Sequence, residues 1–278
     1  MKFWNSETVK SLVDQRVPIK KFWFHDDAFK SAFFDASSVL IPGPERYIIG
    51  IVAPLKLRGG DRDLVRRKEI LLEEEGAHAK VHDRYNAMLE SEGYDIARYQ
   101  AWPKSVQDFF DRHLSLKSRL AMCAAVEHFT ASISIYCLRN RRIFDGIDER
   151  MKKVWLWHFM EEVDHRSALF DIYRNLGGGY LRRASIMAVM LFASGLHHFW
   201  TYQGLLWQSG KFFDPKTRWH ELKFLITKDA FVFKMAMPFL KYLMPWFHPK
   251  RIDFTPSIEH EIHRRPIENQ LAEFFPVV

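Results

Sequence analysis

Three features of the sequence predict an all-α fold, with four long helices in a bundle and further apolar helices after them. Apolar residues recur at helical spacing through four long segments, and none of the four shows the period-two alternation of a half-buried strand. Capping residues and glycines also stand where such helices should start and stop.

The elements follow in order. Residues 1–26 mix aromatic and charged side chains without period and are expected to form an arm on the domain. The run AFKSAFFDASSVLIPGPERYIIGIVAP reads as helical on both sides of Pro42-Gly43-Pro44. Proline suits a helix's first turn but not its interior, so the break belongs there and Glu45 lies near the start of the second piece. Residues 61–92 form a long helix, with Asp61 as its cap and Gly93 as its stop. Trp102, Pro103 and a following loop lead to a third long helix with Ser115 as its cap. Cationic residues gather at the end of that helix, where its dipole favours them. A fourth helix, from about Gly146 to Leu176, is closed by Gly177-Gly178-Gly179. Residues 27–180 thus make the bundle, and residues 181–278 make an apolar helical extension packed on it.

Composition narrows the class. Of 278 residues, 47% are hydrophobic and 27% charged, which excludes a disordered or collagen-like chain. Two cysteines exclude a disulfide-stapled scaffold and a cysteine-rich zinc module, so any metal must be held by His, Glu and Asp. Cys123 and Cys137 are expected on one helix, about 21 Å apart along its axis, which forbids a bridge between them. The polar N-terminus carries no secretory pattern, and a cytoplasmic location is expected, with membrane association open. The formal charge of +7 and the 15% aromatic content favour an anionic surface or an apolar cavity. The basic runs Arg66-Arg67-Lys68 and Arg139 to Arg142 lack interleaved aromatics, so no nucleic acid is expected as a partner.

Residues 184–207 contain no Lys, Arg, Asp or Glu and are long enough to span a bilayer. However, His197, His198, Thr201, Tyr202 and Gln203 would place polar groups in hydrocarbon at any rotation. The segment is therefore expected to pack on the bundle, with Met187, Leu191 and Phe199 inward and His197 or His198 on a carboxylate or backbone partner. The stretch AFVFKMAMPFLKYLMPWF, broken by Pro238 and Pro245, fits a lid or a membrane-surface element. Glu259-His260-Glu261-Ile262-His263, flanked by Arg264, Arg265 and Pro266, reads as a solvated tail.

The chemistry lies in a repeated spacing. Glu75-Gly76-Ala77-His78 and Glu162-Val163-Asp164-His165 are both Glu-x-x-His, which puts carboxylate and imidazole on one helix face within reach of one ion. The other two helices each offer an acid among apolar residues, Glu45 and Glu127, where an unpaired carboxylate is costly and a metal offsets the cost. The order Glu, Glu-x-x-His, Glu, Glu-x-x-His is the di-metal carboxylate pattern of four-helix bundles. The longer gap between Glu75 and Glu127 matches the crossover of a ferritin-like bundle. The candidate ligands are Glu45, Glu75, His78, Glu127, Glu162 and His165. The registers Glu74–His78 and Glu161–His165 stay open, and His82 and His158 are candidate additional ligands. Asp164 and Asp171 are candidates to orient imidazoles, while His128 and Cys123 read as structural.

Residues LIPGPERYIIG, EEEGAHAKVHDRYNAML, AAVEHFTA and WHFMEEVDHRSALFDIY, with GGGYLRR and WFHP, resemble a bacterial family of predicted metal-dependent hydrolases that looks distantly ferritin-like. The resemblance covers roughly residues 30–250 and departs at Pro44, where the family more often has Gly. It implies a metal site and, by the family's name, hydrolysis. The donor chemistry itself suits two metal ions, iron first and Mn or Zn next. The resulting expectation is a di-iron oxidase or oxygenase acting with dioxygen on a small hydrophobic substrate. Hydrolysis by a two-metal-activated water is the alternative, and iron oxidation or binding comes third. A peripheral membrane contact and a homodimer stay open.

Overall fold

The structure is a computed structural model, and residues 19–253 are described. The tail 259–263 and most of the arm 1–26 lie outside the described residues. Among the described residues every regular element is helical: α1 Ala28–Leu40, α2 Pro42–Val52, α3 Arg62–Ser91, α4 Ala97–His113, α5 Leu116–Arg139, α6 Glu149–His165, α7 Ala168–Asn175, α8 Tyr180–Gln208, α9 Pro215–Leu225 and α10 Phe231–Tyr242.

The expected caps account for most boundaries. Asp61 accepts from Leu64 N and Ser115 from Ser118 N, so each satisfies an otherwise orphaned amide of its first turn. Helix α3 stops where Gly93 takes a φ of 89°. Pro42 opens α2 as its first residue. At the end of α7, Gly177 takes a φ of 77°, and the ring of Tyr173 packs so closely on Gly178 that a Cβ there would meet it at 2.4 Å.

Two boundaries differ from the sequence reading. Residues 97–113 are a helix, not a loop. Pro103 lies inside α4, where its lost amide and ring clash make a helix a poor sequence-level choice. The fourth helix is interrupted just after His165, dividing α6 from α7 with no Gly or Pro at the break. There the guanidinium of Arg166 donates to the Val163 carbonyl, the acceptor that Ser167 N would use in an unbroken helix.

Helices α2, α3, α5 and α6 surround a common interior. Helix α2 packs along α3, α6 along α5, and α7 bridges α3 and α5. One apolar cluster joins Ile48, Val52, Leu71, Leu120, Leu169 and Ile172. A larger cluster, rich in aromatic side chains, joins α1 to the later helices through Phe29, Phe33, Tyr202, Phe224 and Phe239. The basic run at the start of α3 serves internal contacts. Arg67 pairs with Asp63 and Asp171, and Lys68 donates to the carbonyls of Ala53 and Leu55 beyond the end of α2.

Helix α8 packs on α1 and α5 and buries Met187, Tyr202, Leu205 and Leu206. Its polar residues find partners in the protein. His198 Nε2 lies 3.1 Å from the Phe33 carbonyl, and both Tyr202 and Gln203 donate to Glu221 of α9 at 2.8 Å. Contrary to the sequence reading, Phe199 faces out, 49% exposed, because Tyr202 and Leu206 occupy the side turned to α1 and α5. Gly204 admits the Tyr99 hydroxyl so closely that any Cβ would overlap it. Among the described residues only Leu116–Arg139 is long and apolar enough to cross a membrane, and 78% of its apolar window is buried inside the protein. Cys123 and Cys137 are both buried and free, as their helical separation requires.

On the buried side of α1, Asp35 Oδ1 accepts from Trp23 Nε1 at 2.8 Å and from the Tyr85 hydroxyl at 2.6 Å. Burial pushes its carboxyl up to about 7 despite the two donors. An unfolded aspartate loses its proton near pH 4. Between pH 4 and 7 the native protein therefore holds a proton that the unfolded chain lacks, so stability falls as pH rises through this window. Asp35→Asn should flatten the decline by up to about 4 kcal/mol, measured by urea denaturation at each pH. Equal slopes in both proteins would contradict the assignment.

Candidate metal centre

Each candidate ligand owes its position to helical periodicity. On α3, Glu75 and His78 project from one face, and the same spacing places Glu162 and His165 together on α6. Glu45 enters from the first turns of α2 and Glu127 from the middle of α5. All six are buried, none more than 5% exposed.

The two motifs cross. His78 Nδ1 lies 3.5 Å from Glu45 Oε1 and 3.4 Å from Glu162 Oε1 of the opposite motif. His165 Nδ1 lies 3.3 Å from Glu75 Oε1 and 3.9 Å from Glu127 Oε1. Ligand atoms of Glu45, His78, His158 and Glu162 fall within 4.8 Å of one another, as do those of Glu75, Glu162 and His165. Glu162 belongs to both groups, so it would contribute to holding both ions. Glu127 stands at the edge of the second group.

The remaining candidates separate clearly. His158, one turn before Glu162, has its Nε2 3.6 Å from Glu162 Oε1. His82 belongs to neither group, since its Nδ1 lies 2.9 Å from Ser38 Oγ, against α1. His128 is structural, with Nε2 3.1 Å from the Pro238 carbonyl.

The imidazoles are not oriented by Asp164 and Asp171. Asp164 is on the exposed side of α6, and Asp171 is taken by Arg67 and His248. Their place is filled by Glu161, 2.9 Å from His78 Nε2, and Glu74, 2.6 Å from His165 Nε2. Each precedes a ligand glutamate and reaches across to the imidazole of the other motif. Glu74 and Glu161 therefore do not act through the alternative registers Glu74–His78 and Glu161–His165. Instead, a carboxylate at Nε2 fixes a proton there and turns Nδ1 toward the centre, where a bound cation would displace its proton. Sequence reasoning missed Thr130, one turn after Glu127, whose hydroxyl donates to Glu162 Oε2. Its position three residues beyond an inward acid was the available signal.

The electrostatics follow from burial and crowding. Burial, together with neighbouring carboxylates, pushes Glu45, Glu75 and Glu127 above the usual carboxylate range. For Glu162, burial pushes the same way but is outweighed by the hydrogen bond and charge of His78 and the charge of His165, which hold it at about 2. Burial depresses His78 and His165, yet the surrounding carboxylates override it and raise both well above the ordinary imidazole value. His158 is driven well below that value by burial and by His78, so it is a neutral imidazole with a lone pair to give. Both oxygens of Glu75, Glu45 Oε2, Glu127 Oε1 and the Nδ1 atoms of His78 and His165 make no hydrogen bond. Buried polar atoms are rarely left so, and six of them converge here. The donors fit two divalent cations, whose charge would neutralise the carboxylates of Glu45, Glu75, Glu127 and Glu162.

A cavity of about 490 Å³ leads away from this centre. Glu45, Glu75, Glu127, His158 and Glu162 form its floor, Phe129 and Met190 are among its apolar walls, and Trp102, Phe109 and Val189 lie at its exposed end. Cys123 also lines it, its thiol pushed up by burial.

Replacing Glu161 or Glu74 by Ala should weaken metal binding roughly 10–100-fold, measured by competition with a chromophoric chelator, because the imidazole would lose its orienting acceptor. Unchanged affinity in both variants would contradict the cross-bracing. Glu127→Gln should raise the urea midpoint of the metal-free protein by relieving carboxylate crowding while lowering its metal capacity. A lowered midpoint in the metal-free state would count against that electrostatic account.

A model of the family described as predicted metal-dependent hydrolase matches residues 10–253 of the chain. No curated protein and no solved structure matches it.

Proposed function

This chain belongs to the predicted metal-dependent hydrolase family, and we propose that it is a two-metal enzyme that hydrolyses a hydrophobic substrate. The observation that carries the reading is the doubled, crossed set of glutamates and histidines at the floor of an apolar cavity. Glu45, Glu75, His78, Glu127, Glu162 and His165 would hold the metals, with His158 as a third imidazole on the Glu45 side. The order of these ligands along the chain supports reading the bundle as ferritin-like.

Two bound ions would supply Lewis acidity toward the scissile group and acidify a water at neutral pH. The chain's own residues do the rest. Glu161 and Glu74 hold the imidazoles in one tautomer. Thr130 fixes one oxygen of Glu162 and so orients the shared carboxylate. Glu45 and Glu127 line the cavity as well as the centre, so carboxylates that would hold the ions also face the bound substrate. Apolar walls exclude bulk water and select an alkyl or aromatic group over a polar one.

The donor set favours a second reading. Carboxylates and imidazoles without thiolate suit iron, and an open apolar cavity suits a dioxygen-dependent oxidation of the same substrate class.

One experiment separates the two. The protein loaded with Fe, Mn or Zn is assayed on a series of acyl esters of increasing chain length, with dioxygen uptake recorded in parallel. Metal-dependent ester cleavage that rises with chain length, is abolished by chelator and falls at least 100-fold in Glu162→Ala supports hydrolysis. Dioxygen uptake by the ferrous protein with no cleavage would overturn it in favour of oxidation.

A further inference from the structure

The C-terminal helices carry a surface that the metal centre does not use. Helix α8 leaves Leu181, Val189, Phe192, Leu196, Trp200 and Trp207 exposed, at successive steps of seven, eight, three or four residues, which is one helical face. Phe192 is 74% exposed and Trp207 61%. Helix α10 packs beside α8 and turns Phe233, Met237 and Leu240 outward, while α9 leaves Trp219 and Leu222 outward, with exposed Ile226 just past its end. Isolated exposed apolar residues are ordinary, but continuous stripes on three neighbouring helices are not.

Charge is distributed to match. Residues 180–253 contain eleven Lys and Arg against four Asp and Glu. The whole chain has 41 and 34, so thirty of each sign remain elsewhere and the entire +7 excess belongs to this segment. Arg182, Lys216, Lys228, Lys234, Lys241 and Lys250 are exposed within it. Lys223 lies over the ring of Trp219, 5.0 Å from its centroid, with its stem along an apolar surface. Tryptophan and phenylalanine among lysines are what the interface of an anionic bilayer attracts, apolar rings toward the acyl boundary and ammonium groups toward phosphates.

The cavity opens on the same face. Val189 is at once part of the exposed stripe of α8 and part of the cavity lining, beside Trp102 and Phe109. We propose that this face docks on the surface of an anionic membrane and presents the cavity mouth to the lipid, so that the substrate is an apolar, lipid-borne molecule. The docking rests on the surface alone. The substrate class rests also on the reading of the centre as an active site.

Flotation of the full chain with vesicles tests the docking. Binding to phosphatidylcholine vesicles containing 30% phosphatidylglycerol should exceed binding to pure phosphatidylcholine at least tenfold and fall steeply with salt. The double variant Phe192→Asp, Leu196→Asp should lose binding at least tenfold while its thermal melt and metal content stay those of the wild type. Reversal of Lys234 or Lys241 to Glu should cost about fivefold or more each. No vesicle binding, or binding unaltered in the double variant, overturns the proposal. So does a stable dimer that the double variant dissociates, since the face would then bury a second copy of the chain. For the substrate route, parinaric acid carried in the vesicles should transfer to the wild type and not to Ala193→Trp, which fills the cavity. Vesicle binding without transfer would overturn that route alone. Neither readout needs turnover, so Glu162→Ala should still bind vesicles even where the proposed chemistry fails.

Discussion

Four carboxylates buried in an apolar interior set the terms for the rest of the fold. Glu45, Glu75, Glu127 and Glu162 come from four different helices and meet in the buried interior, so each would repel the others and draw protons. Imidazoles at His78 and His165 offset part of that field, which is why their proton affinity rises when burial alone would lower it. A field that draws protons onto buried imidazoles is also one that holds cations. The long helices, their caps and the crossed contacts between α3 and α6 keep this charge in register.

The second layer of acids explains how the arrangement is kept in place. Glu74 and Glu161 are less buried than the ligands they precede, and each spans the gap between α3 and α6. The two motifs therefore brace each other, and neither imidazole can rotate without losing its partner. Symmetry stops at His158, which adds a neutral imidazole on the side of Glu45 only. Two sites with different donors would bind their ions unequally, a common way for one ion to anchor and the other to meet substrate.

Much of this was legible in the sequence for a simple reason. Helical periodicity is local, so the Glu-x-x-His spacing, the Asp61 and Ser115 caps and the stop at Gly93 could be read without any tertiary knowledge. What escaped was set by contacts distant in sequence. Glu74 and Glu161 could be read only as alternative ligands in registers on their own helices, because their partners stand on another helix. Helix α4 was hidden by Pro103, although the cavity wall needs the apolar residues around it. The break after His165 has no Gly or Pro and depends on where the Arg166 side chain lands. Phe199 faces outward because the rotation of α8 is decided by Tyr202, Leu206 and Gly204 against their neighbours, not by hydrophobicity alone.

X-ray absorption of the metal-loaded protein tests the central claim most directly, since it reports ligand type and ion separation together. Two ions per chain about 3.5–4 Å apart, with nitrogen and oxygen donors and no sulfur, are the predicted result. The nitrogen contribution should diminish on His78→Ala. A single ion, a sulfur donor, or a spectrum unaltered by that substitution would contradict the account.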